Sequence, residues 1–316
     1  MKVLLDLGNT RLKAGLLHPT TQGPELATTF ATSYDQPRAL SQWLERTLLK
    51  DPDRQIQALG ISVVSERTRH WVENILLAHQ CQVQWLDACT PSTIVHNAYE
   101  APTQLGADRW FGALGAFYQL NPRPAQALVY CSFGTATTID TIVPQTGYST
   151  QEKRSHKNPD ESPDNPIGHR SSHHCSEQPA PPKAKPWIYL GGLILPGPYL
   201  MYQSLDQHTA RLSLGQGALQ DFPVNTRSAI SSGIAAAQTG ALSQQIRRAQ
   251  QRCPEHPVLV VCSGGGWPLI ATAVDRLFEQ WPQLHSSGPL PQLHYYEHSV
   301  LLGLGSTLVQ PNLPLG

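Results

Sequence analysis

The chain has 316 residues, a length that suits two packed domains, each with its own apolar interior. Basic and acidic side chains number 23 each, so the net charge gives no general attraction to nucleic acid or to an anionic membrane surface. No apolar run approaches the ~20 residues that cross a bilayer and no secretory signal is recognisable, so we expect a cytoplasmic protein. The six cysteines lack close spacings, which argues against a disulfide framework or a zinc site.

The first half of the chain alternates predicted strands with predicted helices. Apolar residues at 3–7 and 12–17 flank the turn-forming Gly8-Asn9-Thr10, a pattern that predicts two strands joined by a tight turn. The spacing of apolar residues predicts helices at 38–49, 68–78 and 107–120, and buried strands at 58–64 and 83–86. This order is typical of an α/β protein.

The strand–turn–strand pattern of the N-terminus occurs a second time at 127–143, around the turn Ser132-Phe133-Gly134. Further strands are predicted at 187–196 and 258–262, and further helices at 198–205, 230–249 and 268–278. We interpret the repetition as a duplicated fold, with an N-terminal domain at 1–115 and a C-terminal domain at 116–316.

Residues 145–186 differ in composition from the rest of the chain, because Pro, Ser, His, Lys and Asp replace almost all large apolar residues. Such a segment cannot bury enough surface to offset its chain entropy, so we expect a disordered insertion in the C-terminal domain. It contains four potential metal ligands, His169, His173, His174 and Cys175. A polar linker produces such clusters without a rigid geometry, and the linker interpretation is the one we favour.

The N-terminal hairpin has the chemistry of a phosphate-binding loop. Asp6 follows an apolar strand, where a carboxylate can hold magnesium through water, and Gly8 allows the backbone to turn. Asn9, Thr10 and Lys13 offer hydrogen-bond donors to phosphate oxygens. The alternative is an ordinary hairpin with an asparagine turn.

A second Gly-Thr tip, Gly134-Thr135, and a glycine run at 263–266 strengthen the phosphate interpretation. Two such hairpins facing each other across a cleft can grip the two ends of a triphosphate, while the glycine run lets backbone approach the adenosine closely. These are the three elements of the actin-like, sugar-kinase ATPase superfamily, in which two ribonuclease H-like halves enclose a cleft between domains. We therefore expect this duplicated α/β fold.

The sequence resembles the type III pantothenate kinases, also called the Bvg accessory factor family, over nearly its whole length apart from the insertion. The segments that carry the resemblance are Asp6-Leu7-Gly8-Asn9-Thr10, Ser62-Val63-Val64, Asn97-Ala98-Tyr99, Leu105-Gly106-Ala107-Asp108-Arg109-Trp110, Gly134-Thr135-Ala136-Thr137-Thr138-Ile139-Asp140, Gly191-Gly192-Leu193-Ile194-Leu195-Pro196-Gly197, Asn225-Thr226 and Ser263-Gly264-Gly265. The resemblance implies ATP-dependent phosphorylation of pantothenate to 4'-phosphopantothenate, the first step of coenzyme A synthesis, by a homodimer.

The resemblance also implies roles for individual residues. Asp108 would be the general base, and its neighbour Arg109 would help bind the pantothenate carboxylate. A positioned carboxylate suits this chemistry, since an alcohol that attacks a γ-phosphoryl group must lose its proton. The alternative for Asp108 is a helix N-cap, because aspartate is favoured at helix starts.

Tyr99 and the backbone of Gly106 and Ala107 would line the pantothenate pocket, together with Thr226 donated across a dimer interface. Tyr99 could instead be a half-buried aromatic residue, and Thr226 a helix cap before Ser228. The ATP-binding residues implied by the first two motifs are Asp6, Leu7, Gly8, Asn9, Thr10, Arg11, Leu12, Lys13 and Thr135.

One position departs from the family pattern. Family members commonly carry an aspartate two residues before the glycine of the second hairpin, where it binds a monovalent cation such as potassium or ammonium; here that residue is Ser132. A neutral hydroxyl is a weaker ligand for a hard cation than a carboxylate, so we expect magnesium dependence with weaker potassium dependence. The alternative is that Asp140 or another carboxylate occupies the same place.

Two other functions compete with pantothenate phosphorylation. The same fold could bind nucleotide or pantothenate as an accessory or regulatory protein with little turnover, although the intact Asp108-Arg109 pair favours an enzyme. It could also phosphorylate another small alcohol, although Tyr99, Arg109 and the Gly106-Ala107 turn suit an acceptor that carries a carboxylate.

Overall fold

The computed structural model describes residues 2–18, 24–36, 38–48, 56–145, 186–208, 216–284 and 288–308. Almost all of the predicted insertion at about 145–186, with its histidine and cysteine cluster, lies outside these residues. The described chain forms two β-sheets, which helices separate and flank. None of its helices has the length and apolar character required to cross a bilayer.

The first sheet has five strands in the order β3-β2-β1-β4-β5. Its strands are β1 (Lys2–Leu7), β2 (Arg11–His18), β3 (Glu25–Ser33), β4 (Ile56–Ser62) and β5 (Cys81–Trp85). Helix α1 (Ala39–Leu48) follows β3, and α2 (Glu66–Ala78) connects β4 to β5. The Ser65 side chain caps the N-terminus of α2 by accepting a hydrogen bond from the Thr68 backbone N–H.

The second sheet has six strands in the order β11-β10-β7-β8-β9-β6. Its strands are β6 (Val95–Asn97), β7 (Leu128–Phe133), β8 (Ala136–Pro144), β9 (Trp187–Pro196), β10 (Leu259–Ser263) and β11 (Gln292–Tyr295). The helices that follow the first sheet are α3 (Ala107–Leu120), α4 (Pro198–His208), α5 (Thr226–Arg252), α6 (Trp267–Leu284) and α7 (Ser299–Ser306), with a single 3₁₀ turn at Pro102–Gln104.

The two sheets repeat one strand arrangement. In the first, β1 pairs antiparallel with β2 and parallel with β4; in the second, β7 pairs antiparallel with β8 and parallel with β10. Each hairpin continues into a third antiparallel strand, and each parallel pair continues into another parallel strand. The prediction of a duplicated actin-like α/β fold is therefore confirmed.

The core consists of three apolar clusters that alternate with the sheets. Residues of β1 and β4 pack from one side, and residues of β7 to β10 from the other, onto α3 and α7, which therefore lie between the sheets. The outer face of the first sheet packs on α1 and α2. The outer face of the second packs on α5 and α6. The site at the start of α3 is consequently held by both sheets.

Helices α3 and α7 approach each other closely through glycine. A Cβ atom at Gly115 of α3 would overlap the Ser299 carbonyl of α7, and one at Gly303 of α7 would overlap the Phe111 carbonyl of α3. Gly112 leaves room on another face of α3 for the Tyr130 ring of β7. Because backbone lies on both sides of the two contacts between α3 and α7, little adjustment is available there for a larger residue.

The sequence predictions locate most elements. The helix at 107–120 and the strand at 187–196 have the predicted bounds. The helix predicted at 230–249 is longer, because it begins at Thr226 and ends at Arg252. Strands β3, β6 and β11 and helix α7 were not predicted. The division at residue 115 stays a prediction; β6, which precedes it, pairs with β9 of the second sheet.

The glycine contacts predict a specific loss of stability. Gly303→Ala should lower the free energy of unfolding by about 1–3 kcal/mol, since overpacked sites cost that much when backbone must move. Gly240→Ala is the matched control: it lies in α5, and a Cβ there meets no described atom within 4 Å. Helix propensity alone should stabilise this control by roughly 0.5–1 kcal/mol. Urea unfolding measures the free energy of unfolding of both variants. Equal values would contradict the conclusion that a side chain at residue 303 disrupts the contact between α3 and α7.

Candidate active site

The tips of the two equivalent hairpins meet in the structure. The Gly8 N–H donates to the Arg11 carbonyl at 3.1 Å, and the Gly134 N–H donates to the Ala136 carbonyl at 3.0 Å. The two tips contact each other through the Thr10 and Thr135 hydroxyls, whose oxygens are 2.8 Å apart. The fold thus places the two predicted phosphate-binding loops face to face.

Only part of the first motif presents side chains to this region. Leu7 and Leu12 are fully buried in the core of the first sheet, so they can reach a ligand through backbone atoms alone. Asp6 and Lys13 are directly paired across the β1–β2 ladder, and the charge of Lys13 acts on Asp6. Asn9, Thr10 and Arg11 are exposed at the tip.

Asp6 is a buried carboxylate with an unsatisfied oxygen. Its side chain is 6% exposed, and within the described part of the chain Oδ1 has no hydrogen-bond partner. Burial raises the pKa of Asp6 to about 6; Lys13 opposes the rise and Asp108 adds to it. A buried carboxylate oxygen without a protein partner is suited to accept from a water or to bind an ion.

The donor set is consistent with a hydrated magnesium ion. The described residues contain no group of three or more His, Cys, Asp or Glu side chains that could enclose a metal. Magnesium in phosphoryl-transfer sites usually keeps several waters and takes one or two carboxylates plus phosphate oxygens. Asp6 beside two phosphate-binding hairpins matches this mode of binding.

The glycine run after β10 packs directly on the second hairpin. Gly264 has a φ of +100°, a conformation that favours glycine, and a Cβ there would overlap the Phe133 carbonyl. The Gly266 N–H donates to that same carbonyl at 2.7 Å. The third predicted element therefore adjoins the second phosphate loop.

Asp108 lies in the first turn of α3. The N-cap residue of the helix is Gly106, which makes no side-chain capping bond, so the alternative of Asp108 as the N-cap is wrong. Asp108 Oδ1 accepts a hydrogen bond from the Arg109 N–H at 2.9 Å. A Cβ at Gly106 would lie 2.6 Å from the same oxygen, so glycine leaves room for the carboxylate.

The electrostatics of Asp108 favour proton uptake. Burial raises its pKa above the ordinary value, the Arg109 N–H and charge oppose the rise, and the charge of Asp140 adds to it. Asp108 and Asp6 also act on each other, so two carboxylates from different elements share one desolvated region. A carboxylate with a raised pKa is a stronger base than a solvated one.

Arg109 forms a buried ion pair that the sequence analysis did not assign. Its side chain is 5% exposed and that of Asp140, on β8, is fully buried. Nε of Arg109 donates to Asp140 Oδ2 at 3.1 Å, and Nη2 donates to Oδ1. Nη1 donates to the Tyr99 hydroxyl at 3.4 Å, with Cζ 5.8 Å from the ring centroid. Tyr99, Arg109 and Asp108 thus converge at the start of α3.

The cation position of the second hairpin is occupied by hydroxyl groups. Ser132 is half-buried, and it lies opposite Ser263 in the β7–β10 ladder. Burial raises the pKa of Tyr130, and the neighbouring Ser263 and Ser132 side chains oppose the rise. Asp140 pairs with Tyr130 rather than Ser132 in the β7–β8 ladder and binds Arg109. The alternative that Asp140 replaces the missing carboxylate is therefore not supported.

Among the described residues, Thr226 does not belong to the group of contacting side chains around Asp108, which comprises Tyr99, Arg109 and Asp140. It is the exposed first residue of α5, and the cap of that helix is Asn225, whose side chain accepts from the Ser228 N–H at 3.0 Å. The alternative of Thr226 as the helix cap is therefore wrong. Thr226 borders a groove of about 350 Å³ whose other lining residues include Met201, Leu205 and Ile230.

Sequence reasoning missed the roles of Asp140 and Tyr130. Asp140 is the last residue of the Gly134–Asp140 segment that carries the family resemblance. It is a carboxylate in an otherwise apolar strand, and this pattern could have indicated a buried ion pair, since buried charges are paired. Tyr130 gives no such signal, because tyrosine is common in strands and its hydroxyl partners come from β7 and β10.

Comparison with known proteins identifies a family. A family model described as type III pantothenate kinase matches residues 2–151 and 185–248. A type III pantothenate kinase of Bordetella petrii is 35% identical over 99% of this chain and 98% of its own length, and one of Bordetella pertussis is 34% identical over 98% of each. Among solved structures, a ROK family protein of Streptococcus pneumoniae has a TM-score of 0.42 and 12% identity, with 98% of each chain covered.

The burial of Asp6 predicts a pH-dependent cost to stability. The pKa of Asp6 is about 6 in the folded chain against an ordinary 3.8, so its contribution to stability is complete below pH ~4 and is lost as the pH rises through ~6. Asp6→Asn should therefore be more stable than the parent at pH 8 by up to about 3 kcal/mol, and no more stable near pH 3.5.

Urea unfolding at the two pH values measures this difference, with the exposed Asp221→Asn as control. Addition of magnesium and ATP at pH 8 should reduce the difference in free energy of unfolding between Asp6→Asn and the parent, since these ligands stabilise the parent more than the variant. An Asp6→Asn variant less stable than the parent at pH 8 would show that the carboxylate has a structural partner.

Proposed function

The chain belongs to the type III pantothenate kinase family, and on this premise we propose that it transfers the γ-phosphoryl group of ATP to the primary alcohol of pantothenate. The product is 4'-phosphopantothenate, the first intermediate on the way to coenzyme A. The observation that carries the proposal is the position of Asp108, a half-buried carboxylate with a raised pKa in electrostatic contact with Asp6 of the first hairpin.

Asp108 accepts the proton of the attacking alcohol in this proposal. Phosphoryl transfer passes through a loose transition state, so catalysis consists mainly of placement and charge stabilisation. A base that is rigidly placed at a helix start meets the first need. Its raised pKa makes the carboxylate a stronger proton acceptor than a solvated one.

The acceptor site suits a molecule with a carboxylate at the end remote from its alcohol. Arg109 is adjacent to Asp108, and Tyr99 provides an aromatic face and a hydroxyl beside the guanidinium. The backbone of Gly106 and Ala107, where α3 begins, completes the pocket. A guanidinium at this point can bind the acceptor carboxylate through two N–H groups, a contact that a neutral alcohol does not make.

ATP binds between the two hairpins. The triphosphate is gripped by backbone N–H groups and hydroxyls of the tips, with Lys13 as a point charge and Asp6 as the carboxylate that holds magnesium through water. When bound, magnesium neutralises charge on the β- and γ-phosphates. The glycine run at 263–266 receives the adenosine. The residues assigned to ATP are Asp6, Leu7, Gly8, Asn9, Thr10, Arg11, Leu12, Lys13 and Thr135.

A homodimer is part of the proposal. The groove beside Thr226 is almost entirely apolar in its lining, and Phe222 and Val224 are 91% and 93% exposed nearby in the sequence. Exposed apolar surface of this kind favours association. In a symmetric dimer both protomers use the same surface, and the resemblance to the family implies that Thr226 reaches the partner's pantothenate pocket. We expect the enzyme in the cytoplasm, where ATP is supplied.

A binding protein with little turnover is the less favoured function. Such a protein would need the phosphate loops and the acceptor pocket, but it would have no need for a half-buried carboxylate at the start of α3, because a partly desolvated charge costs free energy. Asp6 and Asp108 both carry that cost.

The proposal predicts pantothenate-dependent release of ADP by the purified chain with ATP and magnesium. Asp108→Asn should lower kcat about 10²–10⁴-fold, since it removes the base at nearly constant volume. A coupled ADP-release assay measures kcat, and calorimetry should show that the variant still binds pantothenate.

The control for this variant is Asp275→Asn, the same chemical change on the exposed surface of α6; it should keep the parental rate. An Asp108→Asn variant with more than half of the parental kcat at saturating substrates would exclude Asp108 as the base. Absence of pantothenate-dependent ADP release from the parent would contradict the proposed function itself.

The hydroxyl groups around Ser132 predict weak activation by potassium. Without a carboxylate at this position the second hairpin lacks a strong ligand for a hard cation. Activity of the parent should change little when potassium replaces an inert organic cation, and Ser132→Asp should gain activation. Ser132→Asn controls for size without charge. Steep activation of the parent that Ser132→Asp leaves unchanged would contradict this interpretation.

A further inference from the structure

The ion pair between Arg109 and Asp140 is almost completely shielded from water. The two side chains are 5% and 0% exposed, and each has lost most of its hydration. Removing both charges from water costs free energy that the pair repays only through good geometry, so a buried ion pair is weak evidence for a stabilising role. The pair is adjacent to the catalytic Asp108, which suggests that its role is in the site.

Asp140 uses one defined edge of the guanidinium. It accepts from Nε and from Nη2, which is the side-on bidentate arrangement. Nη1 donates to the Tyr99 hydroxyl. Of the five N–H bonds of arginine, three are thereby used and two remain, one on each terminal nitrogen. The side-on bond to Asp140 therefore leaves one N–H on each terminal nitrogen of Arg109 for a second carboxylate.

The orientation cannot come from Arg109 itself. An arginine side chain has several freely rotating bonds, and a guanidinium held by a single contact could turn either edge to the pocket. Asp140 is rigidly placed, because its strand β8 lies between β7 and β9 and its backbone pairs with Tyr130 and Gly192. Gly192 allows the strands to approach here, since a Cβ on it would overlap the Ile139 carbonyl.

We infer that Asp140 is a positioning residue for substrate recognition: it fixes Arg109 so that its two remaining N–H groups bind the carboxylate of the acceptor. The inference rests on the proposed function and deepens it. It assigns the preference for a carboxylate-bearing acceptor to a residue that itself touches no substrate. The class of ligand is a hydroxy acid whose carboxylate and alcohol lie at opposite ends.

Asp140→Asn tests the inference through acceptor preference. An asparagine at this position can accept from one guanidinium nitrogen, but its NH₂ group faces the other donor, so the fork is lost at constant volume. The probes are pantothenate and its neutral analogue in which a primary alcohol replaces the carboxylate. The parent should prefer pantothenate in kcat/KM.

The variant should lose about 10- to 100-fold in kcat/KM for pantothenate, mainly through KM, as expected for one charge-assisted interaction. The neutral analogue should change by less than about threefold, because it makes no such bond. Thr141→Val is the matched control on the same strand: it removes the bond from Gln245 to Thr141 without touching Arg109, and its preference should equal that of the parent.

Other outcomes overturn the inference. An unchanged or increased preference for pantothenate in Asp140→Asn would show that Asp140 only neutralises Arg109, and an equal loss in Thr141→Val would show that loosening of β8 is the cause. If Asp140→Asn does not fold, Arg109→Lys answers the same question, since lysine keeps the charge without the fork; a retained preference there would also overturn it. A parent without pantothenate turnover would instead contradict the proposed function.

Discussion

The close packing of α3 against α7 and β7 is the constraint on which the site depends. Both contacts are made through glycines, so a shift or rotation of α3 brings it against the backbone of α7 or the Tyr130 ring of β7. The helix lies between the two sheets, and its N-terminus carries Asp108 and Arg109. A rigid helix thus places a carboxylate and a cation near Asp6 of the first hairpin.

The second feature of the site is carboxylate charge away from water. Asp6, Asp108 and Asp140 come from β1, α3 and β8, and burial raises the pKa of each. Arg109 compensates Asp140 through two hydrogen bonds, while Asp6 keeps an oxygen without a partner in the described residues. A fold selected for stability alone would not keep such charges, so their free-energy cost is consistent with a role in binding and proton transfer.

The three carboxylates differ in how completely other groups of the protein pair with their charge. The carboxylate that is fully paired, Asp140, serves to hold another side chain in place. The carboxylates with incomplete pairing, Asp6 and Asp108, are those to which we assign a hydrated cation and a proton. Ligand binding then supplies the charge that the protein alone does not provide, and it should stabilise the folded chain.

Local sequence patterns predicted many of the strands and helices, but they did not predict which side chains that are distant in sequence form ion pairs. The strand–glycine turn–strand repeat was sufficient for the duplicated fold, because period-two patterns and glycine turns are local signals. Strand β3 was missed because its residues alternate weakly at an exposed sheet edge. Helix α7 was missed because its short run of Val, Leu and Gly residues between two serines fits either a helix or a strand. The partner of Arg109 could not be predicted, since Asp140 is 31 residues away and only the sheet brings it to α3.

The identity of the phosphorylated atom tests the central claim most directly, because pantothenate carries an alcohol at one end and a carboxylate at the other. If Asp108 activates the alcohol while Arg109 binds the carboxylate, phosphorus NMR of the product must show a phosphomonoester on the primary alcohol, stable to hydroxylamine. An acyl phosphate cleaved by hydroxylamine would contradict this assignment, and so would ADP release without a phosphorylated acceptor.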